Sequence, residues 1–205
     1  MTGCDQNITT ETPHTEVKRQ FNDDDILIAE KYYINGKLHR DNGPAYIKYY
    51  DTGNIEEESW YINGKYHRID GPAIIKYYTN GNIEEEFYIN RQDHRISRIN
   101  GPAYISYYTN GNIEEESWFI NEISHRIDGP ATILYYDDGN VHEEIWFING
   151  KLHRIDGPAI ITYNNNGDLL VDSWYINGIG INDELVPDHW PLSHEEQIEF
   201  KLRYS

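Results

Sequence analysis

Cysteine is almost absent: Cys4 is the only one in 205 residues. A lone cysteine forms no internal disulfide, so no covalent staple frames the fold. Positive charge is scarce too, with 17 Lys and Arg against 35 Asp and Glu and a formal net charge of −18. Such a chain is repelled by phosphate backbones and anionic lipid, and it favours basic protein partners. Nucleic acid and membrane are therefore not expected as partners. No apolar run approaches the ~18 residues of a membrane span, and nothing reads as a signal or transit peptide. An intracellular location is the expectation, and the Asn7-Ile8-Thr9 sequon is read as chance. Chemistry-bearing motifs are missing as well: there is no G-x-S-x-G, no P-loop and no G-x-G-x-x-G. Neither an enzyme nor a cofactor is expected.

Aliphatic content is modest. Hydrophobic residues make up 38%, below the usual 45–50%, yet there are 18 Tyr and 5 Trp. That balance predicts a thin structure in which many side chains are half-buried, rather than disorder.

Self-similarity dominates the sequence. His67–Ala73 reads HRIDGPA and returns at His125–Ala131 and His153–Ala159, with HRDNGPA at His39–Ala45. The glycines Gly43, Gly71, Gly101, Gly129 and Gly157 are spaced 28, 30, 28 and 28. A second block, Trp-aromatic-Ile-Asn-Gly, recurs at Trp60–Gly64, Trp146–Gly150 and Trp174–Gly178. Each unit reads as strand, turn, strand, turn. Ile74-Ile75-Lys76-Tyr77-Tyr78 is β-branched and aromatic, and Asn63-Gly64 signals a type I′ hairpin. Pro in the Gly-Pro-Ala step sets φ just before the next strand. The expected fold is all-β: an elongated antiparallel hairpin meander of about six 28-residue units over 21–178. A disordered segment over 1–20 precedes it, and a capping segment over 179–205 follows.

Recurrence among copies separates the two faces of each strand. Ala45, Ile47 and Tyr49, and their equivalents Ala103, Ile105 and Tyr107, hardly change, whereas Lys48, Lys76, Ser106, Leu134 and Thr162 drift. Successive strand residues face opposite sides, so the Ala/Ile/Tyr set is the expected packed face. The drifting face, with Tyr46, Tyr50, Tyr78, Tyr104 and Tyr108, is expected to meet solvent or a partner.

The pattern W-x-x-x-G-K…G-P-A-x-x-x-Y-x-x-G resembles the MORN repeat and its longer variant, common in giant viruses of amoebae and also found in bacteria. The resemblance covers roughly residues 26–178. It implies a β-hairpin array that serves assembly or binding and no activity, with the host cytoplasm or the virion as location if the source is viral. The unit is longer than the ordinary MORN unit and carries a His-Arg insertion, so lipid or kinase associations of that family carry over poorly.

At the first end, Ile26-Leu27-Ile28 takes the place of a first repeat strand. At the other, Ser193-His194-Glu195-Glu196 matches a capping box. It introduces a short helix docked through Trp190, Ile198 and Leu202, although the alternation Ile198, Phe200, Leu202, Tyr204 fits a strand equally well.

The recurring groups favour structural roles. His39, His67, His94, His125 and His153 sit two strands apart, ~9.6 Å, too far to share one zinc ion at ~2.0–2.1 Å. The arginines read as their partners are Arg40, Arg68, Arg95, Arg126 and Arg154, expected at turns or stacked on aromatic rings. The Glu runs 56–58, 84–86, 114–116 and 143–144 hold 11 of the 35 acidic residues. They read as a solvated acidic stripe, because flat strands do not converge six to eight oxygens on calcium.

The third copy is irregular: it lacks a residue before Phe87, gains three within 96–99, and replaces Asn-Gly by Asn90-Arg91, while the fourth has Asn121-Glu122. Candidate binding residues are therefore Tyr78, Tyr104, Tyr108, Arg91, Glu114, Glu115, Glu116 and Glu122. The expected function is a non-enzymatic scaffold that binds a protein, a basic one being favoured, through an acidic, tyrosine-rich sheet. The alternative is an inhibitor or antitoxin-like module acting by charge mimicry.

Overall fold

A computed structural model describes residues 14–90, 93–182 and 192–204. The chain forms one long antiparallel meander. Its strands run in sequence order: Thr15–Phe21, Leu27–Ile34, Tyr46–Tyr49, Ile55–Ser59, Ile74–Tyr77 and Ile83–Phe87. The path continues through Tyr104–Tyr107, Ile113–Ser117, Thr132–Tyr135, Val141–Ile145, Ile160–Tyr163 and Leu169–Ser173. At ~4.8 Å per strand this path is roughly 50–60 Å long.

Each copy adds a long hairpin to this sheet and a short one beside it. The long hairpins turn on Gly53, Gly81, Gly111, Gly139 and Gly167, all at positive φ. Asn side chains tie these turns together: Asn54 donates to the Thr79 carbonyl, Asn112 to that of Asp137 and Asn140 to that of Asn165. The short hairpins, such as Tyr61–Ile62 with Lys65–Tyr66, turn on Asn63-Gly64 and its equivalents, with both residues at positive φ. That is the type I′ geometry their sequence demands.

Register shifts recur in the long hairpins, between Lys48 and Tyr49, Lys76 and Tyr77, and Ser106 and Tyr107. Lys48 pairs with Glu57 but Tyr49 pairs with Ile55, which leaves Glu56 as the extra residue. Each bulge breaks the simple alternation of the glutamate run.

Several expectations need correction. Thr15–Phe21 forms a full strand paired with Leu27–Ile34, so the array begins before residue 21 and part of the 1–20 segment is ordered. Residues 1–13 lie outside the described residues. Leu27–Ile34 is thus not the edge. The Ala set is fully buried and Ile47, Ile75, Ile105 and Ile161 are nearly so, but Ser106 on the opposite face is buried too. The drifting face is half-buried rather than open.

The missing residue of the third copy also falls elsewhere than expected. Phe87 pairs with Ile74 as Ser59 pairs with Tyr46, so the main strand keeps its phase. The loss is taken up by the short hairpin, which is reduced to a single Ile89–Ile96 bridge.

The C-terminal segment ends in a helix, His194–Tyr204. Its capping box is present: Ser193 N–H donates to Glu196 Oε2 at 2.8 Å, and Glu196 N–H donates to Ser193 Oγ at 3.4 Å. The docking face differs from the expected one. Leu192 and Phe200 are buried against Trp174 and Ile176, whereas Ile198 and Leu202 are exposed. Trp190 lies outside the described residues.

Candidate interaction surface

The loop Arg-Ile-Asp-Gly-Pro gives each copy a clamp. Arg68 lies over the Trp60 ring at 3.8 Å, Arg126 over Trp118 at 3.9 Å and Arg154 over Trp146 at 3.9 Å, with Arg40 over Tyr32 at 4.0 Å. Each guanidinium also donates to the carbonyl of the proline four residues on, as Arg126 does to Pro130 at 3.1 Å. The intervening glycine lets the guanidinium lie close against the backbone, and a side chain there would push it out of the clamp. A Cβ at Gly71 would meet Arg68 Cζ at 2.9 Å, and one at Gly157 would meet Arg154 at 2.9 Å.

In the third copy the clamp is Arg98, not Arg95. Arg98 stacks on Tyr88 at 3.8 Å and donates to Pro102, while Arg95 is exposed. Ser97 takes the histidine's backbone position, its N–H bonding Tyr88 O as His67 N–H bonds Trp60 O. The histidines themselves join neighbouring copies. Asn149 N–H donates to His125 Nδ1 and Asn177 N–H to His153 Nδ1, both at 3.1 Å. His94 departs from this pattern: its Nδ1 faces the Tyr66 carbonyl at 3.1 Å and must donate.

A ladder of phenols and carboxylates crosses the sheet. Tyr77 donates to Glu58 at 2.7 Å, Tyr107 to Glu86 at 3.0 Å, Tyr135 to Glu116 at 2.7 Å and Tyr163 to Glu144 at 3.1 Å. Tyr49 donates to Glu30 at 3.1 Å. Burial, and beyond it the adjoining carboxylate, pushes Tyr49 and Tyr163 up to about 12 and raises Tyr77, Tyr107 and Tyr135.

Most of the described candidate binding residues are engaged within the sheet. Tyr78 and Tyr108 are half-buried, with hydroxyls donating to the carbonyls of Tyr107 and Tyr135. Tyr104 donates to Glu85 at 3.0 Å. Glu115 accepts from Ser117, and Glu116 from Tyr135. Glu114 lies near Tyr78 and Tyr108, whose pKa values are raised mainly by burial and then by this charge among others. Glu122 is exposed on a short hairpin at φ 67°, and Arg91 lies outside the described residues. Most of these tyrosines and glutamates hold the sheet together instead of offering free polar groups.

What the sequence reading missed is the loop rim. Ile69, Ile99 and Ile127 are 71%, 93% and 79% exposed, one per copy along the same side. Clefts lie between successive loops. One of about 960 Å³ is lined by His67, Arg68, Tyr88 and Arg98, and one of about 730 Å³ by Arg126, Trp146 and Arg154. The equivalent isoleucine of the last copy, Ile155, is partly buried. It packs against the cluster of Trp174, Ile176, Leu192 and Phe200, and Leu192 N–H donates to the Asp156 carbonyl at 2.7 Å. The signal was present in the repeated R-I-D-G-P loop, where an apolar side chain recurs at a turn tip.

No family model, curated protein or solved structure matches this chain. Among the described residues, no three or more His, Cys, Asp or Glu side chains gather as a metal site would require, and no helix is long and apolar enough to cross a membrane.

Proposed function

We propose that this chain is a non-enzymatic repeat scaffold that binds protein segments along its loop rim, drawn by its net negative charge. One observation carries the reading. Ile155 of the last copy's loop is partly buried against the chain's own apolar cluster of Leu192 and Phe200, while the equivalent Ile69, Ile99 and Ile127 stand open. The rim therefore offers the same backbone carbonyl and the same apolar loop tip several times over. The MORN resemblance, with its implied role in assembly or binding, agrees with this reading. Charge mimicry remains the second reading, favoured by the net charge of −18. It would place binding on Glu56, Glu84 and Glu114 instead.

A peptide matching residues 192–204 but carrying Glu195→Lys, Glu196→Lys and Glu199→Lys serves as a basic probe of the cap's chemistry. The full chain should bind it. The triple variant Ile69→Asp, Ile99→Asp, Ile127→Asp should weaken binding at least about tenfold, a loss of ~1.4 kcal/mol. Binding that ignores this variant but disappears in Glu56→Lys, Glu84→Lys, Glu114→Lys would support charge mimicry. No binding by the unaltered chain would overturn the rim proposal.

A further inference from the structure

The two ends of the sheet are built differently. Among the described residues the first strand, Thr15–Phe21, is an edge, and its charged and polar residues separate its two apolar ones: Lys18, Arg19 and Gln20 are exposed and Glu16 is half-buried, between Val17 at 47% and Phe21 at 51% exposed. Arg19 is paired with Glu30 at 2.7 Å, and Lys18 with Glu16 at 3.5 Å. Charge of this kind blunts an edge against further pairing.

The last strand, Leu169–Ser173, instead carries its apolar residues as one unbroken run, Leu169-Leu170-Val171. It bonds to Ile160–Tyr163 on one side, and among the described residues no strand pairs with the other. Every earlier strand of its class bonds on that far side to the next copy, as Glu57 and Glu58 pair with Lys76 and Ile75, and Glu143 and Glu144 with Thr162 and Ile161. Its sequence also departs from theirs where it matters. The positions filled by Glu56-Glu57, Glu84-Glu85, Glu114-Glu115 and His142-Glu143 become Leu170-Val171. Leu169, Leu170 and Val171 are 49%, 58% and 56% exposed. The helix docks on Trp174 and Ile176 of the adjoining short hairpin and leaves these three side chains open.

We infer that Leu169–Ser173 pairs antiparallel with the same strand of a second copy, extending the meander across a two-fold axis perpendicular to the sheet. The interface would continue the one that already joins each copy to the next: a backbone ladder flanked by side chains from both faces. Leu170 and Val171 supply the apolar contact that the acidic pairs of the interior strands would withhold, since like charges directly opposite are destabilising. Pairing of identical edges also closes. A head-to-tail join of the last strand to the first would leave a fresh apolar edge at every step and propagate without limit, whereas the two-fold arrangement leaves outside, among the described residues, the Thr15–Phe21 edges with their charged Lys18 and Arg19. Each copy carries −18, so salt screens the mutual repulsion and strengthens this dimer.

The test is the solution mass of the purified full chain by light scattering, across concentration and between about 0.05 and 0.5 M salt. The expected value at high concentration is twice the 24.1 kDa of one chain, with dissociation at least about tenfold weaker at the higher salt. The variant Leu170→Glu, Val171→Glu restores the residues that the array already holds in strands of this class. Circular dichroism should show it folded, and its mass should fall to that of one chain. Val17→Glu with Phe21→Glu, at the opposite edge, should leave the dimer intact. A single-chain mass for the unaltered protein at every concentration would overturn the proposal. So would a mass that grows without limit, or a dimer that survives the Leu170→Glu, Val171→Glu change.

Discussion

The third and fourth copies share one frame and differ in one attachment. Tyr104–Tyr107 and Thr132–Tyr135 take the same register with the strands that follow them, including the bulge before Tyr107 and before Tyr135. Their Arg clamps and their Tyr–Glu bonds match as well. The short hairpins do not match. The fourth copy has a paired Phe119–Ile120 and Ile123–Ser124, while the third has only the Ile89–Ile96 bridge and a histidine turned to a different partner. Sheet register is specified by buried Ala and Ile, because a one-residue slip would move the whole set to the wrong face. The hairpin buries little, so it absorbs both the deletion and the insertion.

If the clamp belongs to the frame, Arg98→Ala and Arg126→Ala should cost alike, about 2–3 kcal/mol each. Each loses a charged hydrogen bond to a half-buried carbonyl and the stacking on a ring. Arg95→Ala should stay within about 0.5 kcal/mol, as exposed substitutions usually do. Urea denaturation of the three variants measures this, and a large loss for Arg95→Ala would break the comparison.

The ladder should respond more weakly. Tyr107→Phe and Tyr135→Phe each remove one phenol–carboxylate bond from a half-buried, partly screened site, for an expected loss of about 1 kcal/mol in either copy. Urea midpoints that differ strongly between the two would show that the copies are not equivalent. The turn of the fourth copy offers the opposite sign. Glu122 holds φ 67° where Gly36, Gly64, Gly150 and Gly178 stand in the regular copies, so Glu122→Gly should stabilise by up to about 1 kcal/mol, readable as a raised melting temperature.

Alkali should act on both copies together. The ladder phenols have folded pKa values raised above the ordinary value near 10, with Tyr49 and Tyr163 at about 12. The folded state therefore holds those protons more tightly. Its stability is complete below pH ~10 and declines as pH climbs toward ~12. Tyrosinate absorbance followed alongside circular dichroism should show these rings ionising only as the sheet is lost.

Much of this was legible in the residues. Asn63-Gly64 and its equivalents specify their turn outright, and the Ala/Ile alternation marks the packed face. Arg98 was misread because the third copy was counted forward from His94, when counting back from Gly101-Pro102 places the clamp. Thr15–Phe21 escaped notice because TEVKRQF carries only Val17 and Phe21 as apolar residues, and its strand is dictated by the waiting edge of Leu27–Ile34. On the helix, Ile198 and Leu202 formed a plausible apolar pair. The face was decided by where Leu192 enters, which is a tertiary matter. Burial of Ser106 likewise depends on neighbouring copies and leaves no mark in the local pattern.

Hydrogen exchange resolved along the chain tests the separation of frame from attachment most directly. Amides of Tyr104–Tyr107 and Thr132–Tyr135 should be protected to a similar degree, because both lie within the continuous sheet. Amides around the Ile89–Ile96 bridge should exchange faster than those of Phe119–Ser124. Equal protection of the two short hairpins, or weaker protection of Tyr104–Tyr107 than of Thr132–Tyr135, would contradict the claim that the third copy's irregularity stops at its hairpin.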